Sequence, residues 1–325
     1  MLKLFLTMFV ITTVLTGCMS STQVGYGAER KQLMLVSQHF SVKRADKDFE
    51  RLSGSTQKKY YMTQEKRLAE IMNKMIPYSD DYISENRDIH WGVHVYISEK
   101  TNASALANGV ILVSNKMIYN KKFNDDALAY ILAHEMAHVV RDHHRERQSW
   151  KYAVSPALIA TALVTSGASA VTAGVLHDGS GGISQRRLEK EADLLGLELM
   201  AKAGFNPEQA IDVFDAFYPV YLEEYPTLSK LPEFVQAHPN LQKRNDYTRD
   251  YLSHVMPMYK KAVKFPESKK SDRLINIQDA PQAMVLINGE LILKSKIQSI
   301  TTNSDGKTEY VLKADRVEQS SVPNS

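Results

Sequence analysis

Apolar positions recur at mixed three- and four-residue spacing over residues 31–51 and again over 60–77, which predicts two helices. Residues 91–97, WGVHVYI, alternate instead, the period of a strand, and Val110 to Val113 form a short strand-like run after Asn108-Gly109. Asn124, Asp125 and Asp126 supply the polar start of a long apolar helix from Ala127 to about Gln148. Tyr152 to Leu176 is uncharged and rich in Ala, Ser, Thr and Gly. Its length would span a bilayer, but Pro156, Gly167 and Gly174 interrupt it and large apolar residues are few. Tightly packed buried helices are the expectation there, with a membrane-facing segment or a lid as alternatives. His177 to Ser184 reads as a Gly/Ser loop, and a helix follows from Gln185 to Ala203, capped by Gly204. Asn206-Pro207 and His238-Pro239 each open a further helix.

Beyond a polar, Lys-rich stretch from Lys261 to Arg273 the pattern changes to strands. Met284 to Ile287, Asn288-Gly289 and Leu291 to Leu293 predict a hairpin, and Lys296–Ile300 and Thr308–Leu312 two more strands. The fold class is therefore α+β. A mainly helical domain over 31–264 carries a small antiparallel sheet beside the long helix, and residues 265–325 form a linker and a small β-rich appendix.

Composition narrows the classes. Of 325 residues, 43% are hydrophobic and 24% charged, with a net charge of +3, which excludes a disordered chain and gives no global basis for nucleic-acid binding. The single cysteine excludes a disulfide scaffold. That cysteine ends a characteristic stretch. Lys3 precedes an uncharged apolar run, and Leu15-Thr16-Gly17-Cys18 closes it, the pattern of a secretory signal. The ending resembles a bacterial lipobox, which implies cleavage before Cys18 and lipidation of its thiol. Residues 1–17 are then a signal peptide and 18–30 the lipidated cysteine and a linker. Met19 rather than Asp follows the cysteine, so the expected location is the periplasmic face of an outer membrane.

The chemistry lies in His134-Glu135-Met136-Ala137-His138, an HExxH motif within the long predicted helix. Residues i and i+4 share a helix face, so two imidazoles can hold one zinc ion. Glu135 beside them is placed to take a proton from an attacking water as general base. A third ligand is needed. Glu189 and Asp193 are again i and i+4 on a predicted helix. Glu189 as ligand would leave a coordination position open, and Asp193 could fix the tautomer of a ligating histidine. Spacing alone leaves Glu191 and Glu198 as competitors.

HEMAHVVRDH, RRLEKEADLLGLELMAKAGFNP and HPNLQKR, spread over about residues 28–255, resemble the HExxH/ExxxD zinc metallopeptidase family of HtpX and the CAAX prenyl protease. They also resemble bacterial outer-membrane lipoprotein metalloproteases of the LoiP and BepA kind. The resemblance implies a zincin-type domain with one Zn2+, His134, His138 and Glu189 as ligands and Asp193 behind them. It also implies that His238 can approach the metal as a catalytic oxyanion donor or a plug, and that Arg244 steadies the same region. Gln185 and Ala237 depart from the family's usual Ser and Thr without removing a ligand. His143 reads as packing or support behind the motif, His144 as surface, and the alternating charges of Arg141–Arg147 as a solvated helix end.

Zinc proteases of this helix type hold peptides along a sheet edge. Asn102-Ala103 and Asn108-Gly109-Val110-Ile111-Leu112 resemble the family's edge strand and are expected to line the cleft. The expected function is a membrane-anchored periplasmic zinc endopeptidase cutting misfolded or misassembled envelope proteins. The alternative is an envelope-assembly chaperone or scaffold with a latent or gated zinc site, its partner taken through the C-terminal appendix.

Overall fold

A computed structural model of the chain describes residues 18–19, 24–54, 62–84, 87, 89–152, 170–224, 241–275 and four strands between 284 and 312. The chain divides after Ile275 into two units.

In the first unit two short strands, β1 (Cys18–Met19) and β2 (Gln32–Leu33), pair antiparallel. Helices α1 (Gln38–Gly54) and α2 (Met62–Ser79) follow, then strands β3 (Gly92–Tyr96), β4 (Ala103–Ala105) and β5 (Val110–Ser114). The helical remainder comprises α3 (Asn115–Ile118), α4 (Asp125–Val140), α5 (143–152), α6 (Ala170–Lys202), α7 (Gln209–Glu224) and α8 (Leu241–Lys264).

Helix α4 is the axis of the unit. Asn124 caps it, its side chain accepting the Ala127 N–H at 2.9 Å, an arrangement typically worth about 1 kcal/mol. Every residue from Ala127 to Val140 is buried, against α2, α6, α7 and β4. Leu128, Leu132, Met136 and Val139 fill the core, while Ala127, Ala129, Ala133 and Ala137 let neighbours approach. A helix apolar on all sides has no solvent face, and its sequence shows no amphipathic stripe. The closest crossing is with α6 at Gly196, where a Cβ would lie 3.0 Å from the His134 backbone nitrogen.

The C-terminal end of α4 is closed by a side chain from outside the helix. Arg87 donates to the carbonyls of Val140 at 2.5 Å and Val139 at 2.8 Å, satisfying acceptors that a helix end leaves open. Asp142 then adopts a left-handed conformation (φ 55°), and the chain turns into α5. The single helix expected to Gln148 is thus two helices with a sharp break.

Three expectations about the sheet and its surroundings are corrected. The three-stranded sheet has order β3-β5-β4; β3 runs parallel to β5 and only β4 is antiparallel, so the sheet is mixed rather than antiparallel. The strand holding Val110, Ile111 and Leu112 is central, with Asn108 and Gly109 in the turn before it, and the edge nearest α4 is β4. Gly109 (φ 98°) is required there, because a Cβ would meet the His90 carbonyl oxygen at 2.8 Å. Finally, 177–184 lies within helix α6 and not in a loop. Gly and Ser lower helix propensity, but a helix already packed along 188–201 can propagate through them.

The domain is also longer than 31–264 at both ends. Tyr26 packs edge-on against Tyr251, and Gly25 and Gly27 approach Tyr82 and Glu191 closely, so Gly25–Arg30 is part of the fold rather than a linker. Glycines suit a linker and a close approach alike, which composition cannot separate. At the other end Ile275 and Asn73 exchange two hydrogen bonds (2.8 and 2.9 Å) and Arg273 donates to Asp80 at 2.9 Å, fastening the Lys-rich stretch to the domain.

The second unit consists of two antiparallel pairs: β6 (Met284–Ile287) with β7 (Glu290–Leu293), and β8 (Ile297–Thr302) with β9 (Thr308–Leu312). Ile287 pairs with Glu290, as the predicted hairpin requires; the expected Asn288-Gly289 turn itself lies outside the described residues. Most of the uncharged Tyr152–Leu176 stretch lies outside the described residues, as does His238. Among the described residues no helix is long and apolar enough to cross a membrane.

Candidate active site

Helix α4 presents His134, Glu135 and His138, and α6 crosses it to present Glu189 and Asp193; all five are buried. The two His Nε2 atoms stand 3.1 Å apart, and the Glu189 carboxylate oxygens lie 3.6 Å from His134 Nε2 and 3.5 Å from His138 Nε2. Tetrahedral ligands at zinc bond lengths of about 2.05 Å are separated by about 3.3 Å. The three side chains therefore already stand at the spacing one zinc ion requires. Among the described residues they form the one His/Cys/Asp/Glu group so arranged.

What surrounds the three ligands fixes their orientation. His134 Nδ1 is 2.8 Å from Asp193 Oδ1, a carboxylate that only accepts, so the ring carries its proton there and turns Nε2 toward Glu189. Asp193 also accepts from Tyr130 OH at 2.9 Å, Tyr247 OH at 2.6 Å, and Arg244 Nε and Nη2 at 2.8 and 2.7 Å. Arg244 reaches on to Glu189 Oε2 at 3.0 Å and lies over the Phe214 ring. Arg244 thus clamps both α6 carboxylates, which gives its expected steadying role a geometry. Burial alone would raise the Asp193 carboxyl, but Arg244 and His134 hold it well below the usual range.

His134 and His138 titrate in opposite senses. Burial disfavours charge on both. The Asp193 charge overcomes this at His134 and carries it up to about 9, whereas at His138 burial prevails and the ring is pushed well down. Two rings in contact cannot both be protonated. Their Nε2 atoms stand at hydrogen-bond distance, so the two rings titrate as a pair.

Glu135 is buried beside them and accepts the Ala105 N–H at 2.7 Å. That bond orients the Glu135 carboxylate and shows which way the β4 backbone faces. Leu106 N–H and Asn102 C=O bond to β5, so by alternation the backbone of Ala103, like that of Ala105, points away from it. Ala103, Asn102, His134 and Glu135 line one cavity with Ile131, Val213, Phe214 and Phe217. The sheet edge beside the metal ligands is therefore β4, the Asn102-Ala103 part of the expected edge, and not Asn108–Leu112. Val110, Ile111 and Leu112 act indirectly by holding β4 in register.

Sequence spacing misplaced the charged stretch after the motif and His144, while His143 supports the motif from behind as expected. The break at Asp142 swings His143 back, so its Nδ1 lies 2.9 Å from His138 Nδ1. On a continuous helix it would face elsewhere. Arg141, Asp142, His143 and Glu146 are all buried rather than a solvated end. His144 is half-buried and hydrogen-bonds the Ala105 backbone instead of standing at the surface. The two competing carboxylates are engaged elsewhere. Glu191 binds Arg30 and His143, and Glu198 accepts from Tyr251 OH at 2.6 Å and Tyr82 OH at 3.3 Å.

Residues 62–250, more than half of the chain, match the profile of peptidase family M48. The chain belongs to this family. Among curated proteins, the mitochondrial metalloendopeptidase OMA1 of Schizosaccharomyces pombe is 30% identical over 170 residues, covering 52% of this chain and 49% of that protein. The beta-barrel assembly-enhancing protease of Escherichia coli K12 is 25% identical over 188 residues, 54% of this chain and 38% of its own length. Metalloprotease YcaL of the same organism is 27% identical over 163 residues, 49% and 61% respectively. The matched region spans about half of the two yeast OMA1 relatives and less of the assembly-enhancing proteases. The M48 match contains HExxH, Glu189, Asp193 and Arg244, and the geometry around them is that of a metallopeptidase domain.

Proposed function

We propose that this M48 protein is a zinc-dependent endopeptidase that hydrolyses peptide bonds in extended segments of misfolded or misassembled envelope proteins, with His134, His138 and Glu189 holding the metal. When bound, zinc acidifies the attacking water and polarises the scissile carbonyl. Glu135 accepts the proton of that water and returns it to the leaving amine. Ala103 on β4 offers backbone groups to a peptide lying along the edge, while the apolar wall of Ile131, Val213 and Phe217 receives a side chain. The observation that carries the reading is the Ala105–Glu135 hydrogen bond, which joins the general base, the ligand helix and the sheet edge in one contact.

Lipidation of Cys18, on the lipobox-like sequence, would tether the enzyme to the periplasmic face of an outer membrane. The name of the beta-barrel assembly-enhancing protease is in keeping with an envelope setting, whereas the OMA1 relatives are mitochondrial, so the family alone does not specify the compartment. The test is cleavage of casein by the full chain with zinc, beside its Glu135→Gln variant. Cleavage by the first alone, with equal zinc in both, supports the protease. No cleavage by either, with zinc bound, favours an assembly factor with a latent site.

A further inference from the structure

A second polar system lies behind His138, on the side away from Asp193, and reaches the N-terminal segment. His143 Nε2 is 3.2 Å from Glu191 Oε2, and Glu191 accepts from Arg30 Nη2 at 2.9 Å and from Arg30 Nε. Arg30 is bidentate to Glu146 as well, at 2.6 and 2.7 Å. Arg141, whose side chain is fully buried, donates to the Gly27 carbonyl at 2.6 Å, and Gln32 donates to the Arg141 carbonyl at 2.7 Å and to Glu146 at 2.9 Å. Gly27 (φ 78°) brings the backbone against the Glu191 side chain, where a Cβ would lie 3.0 Å away. The segment 27–32 is thus bound to the α4–α5 break and to α6 by charged groups, three of them removed from water.

The hydrogens in this system can stand in one order only. Glu191 accepts, so His143 Nε2 donates. A neutral His143 then has a bare Nδ1, so the hydrogen between the two rings belongs to His138 Nδ1. His138 Nε2 is left bare, facing His134 Nε2 and Glu189, the form in which an imidazole binds a metal. Were Glu191 turned away, His143 could adopt the other tautomer and His138 with it, placing a hydrogen on Nε2 where the ligand lone pair should be.

We propose that Arg30, acting through Glu191 and His143, is a positioning residue for the metal ligand His138, so that the N-terminal segment 27–32 is an integral part of the metal centre. The proposal rests on the reading of His134, His138 and Glu189 as ligands. His134 has its carboxylate, Asp193, on the same helix as Glu189; His138 has one too, Glu191, but reached through a second imidazole and held by a residue 161 positions earlier in the chain. Partners behind a metal-bound histidine typically govern metal affinity by about 10- to 100-fold.

The test uses the full-length chain, with zinc affinity measured by competition with a chromophoric chelator and the visible spectrum recorded on the cobalt-substituted protein. Arg30→Ala and His143→Phe are compared with wild type, Glu189→Gln and Val255→Ala. The last removes core volume from α8 and reports general destabilisation. The expected result is a Kd about 10- to 100-fold weaker in Arg30→Ala and His143→Phe with a shifted cobalt band, partial recovery in Arg30→Lys, and neither change in Val255→Ala. Wild-type affinity and an unshifted band in folded Arg30→Ala or His143→Phe would overturn the positioning role while leaving the ligands intact. Equal zinc binding by wild type and Glu189→Gln would instead overturn the ligand set. Should His143→Phe fail to fold, the Arg30 variants decide alone.

Discussion

Replacing Asp193 by Asn changes one atom at the most heavily used carboxylate of the site. Oδ1 faces His134 Nδ1, Tyr130 OH and Arg244 Nη2; Oδ2 faces Arg244 Nε and Tyr247 OH. An amide keeps one oxygen and gains two donors. Whichever way it turns, its NH2 group meets at least two donors already in place. Arg244 retains only Glu189 as a charged partner, at 3.0 Å. Removing one partner of a buried ion pair costs about 3–5 kcal/mol, and the surviving Glu189 contact places this case near about 3 kcal/mol. For a domain of this size that is about 6–12 °C in Tm. The loss should appear in metal-free protein held in chelator, measured by calorimetry, since it belongs to the fold. Separately, the His134 tautomer is released, and zinc affinity should fall about 10- to 100-fold. Tyr247→Phe, which leaves His134 and Arg244 in contact with Asp193, should shift Tm by half as much or less. A Tm within 2 °C of wild type, together with an unchanged zinc Kd, would show that the five contacts on Asp193 are dispensable and refute the reasoning (both thresholds are approximate).

Glu189→Gln should lose zinc on gel filtration that wild type survives, with metal content read by atomic emission; equal content rejects this ligand. The raised His134 value, about 9 against 6.5, makes its proton a stabilising one in metal-free protein. That contribution is complete below pH 6.5 and lost as pH rises through about 9. The chelated protein should therefore lose this part of its stability across that window. Zinc, which must displace the proton, should bind about tenfold more tightly for each unit that pH rises toward about 9; a flat Kd between pH 6.5 and 8.5 contradicts this. Ala103→Pro, on an edge whose N–H faces away from β5, should reduce peptide cleavage at unchanged zinc content, because a proline is tolerated on an edge strand and only a peptide partner is lost. Ile111→Pro is no test of the same idea, since Ile111 is buried in the central strand and its replacement would disrupt the sheet.

The pairing of His134 with His138 was legible because helix periodicity turns HExxH into two neighbours on one face; the same rule joins Glu189 to Asp193, but the choice of Glu189 over Glu191 and Glu198 came from the resemblance. The hairpin about Asn288-Gly289 was legible because that turn demands those residues. The edge strand was misassigned because hydrophobicity marks Val110–Val113 as a strand without marking it as central. The true edge is three small residues, Ala103-Ser104-Ala105, with little strand signal of their own. The stretch Arg141–Arg147 reads as a solvated helix end because the break that buries it depends on Asp142 taking a positive φ and on Arg87, 52 and 53 residues away, capping Val139 and Val140. Arg30 was taken for the end of a linker, since its carboxylate partners lie 116 and 161 residues downstream.

The shortness of β4 has a consequence for what the site can select. A strand of three residues, of which only Ala103 and Ala105 turn their backbone away from β5, would recognise the shape of a chain and very little of its sequence. A globular protein keeps its own strands paired and its peptide groups engaged, so it offers such an edge nothing to bind until part of it opens. Cleavage would then follow the population of locally opened states, a quantity set by the stability of the substrate rather than by the affinity of the protease. Two proteins with the same sequence around a susceptible bond would differ in lifetime by the free energy needed to expose it. On the proposed function, an edge this small would measure foldedness: a chain would be cut in proportion to the time it spends extended.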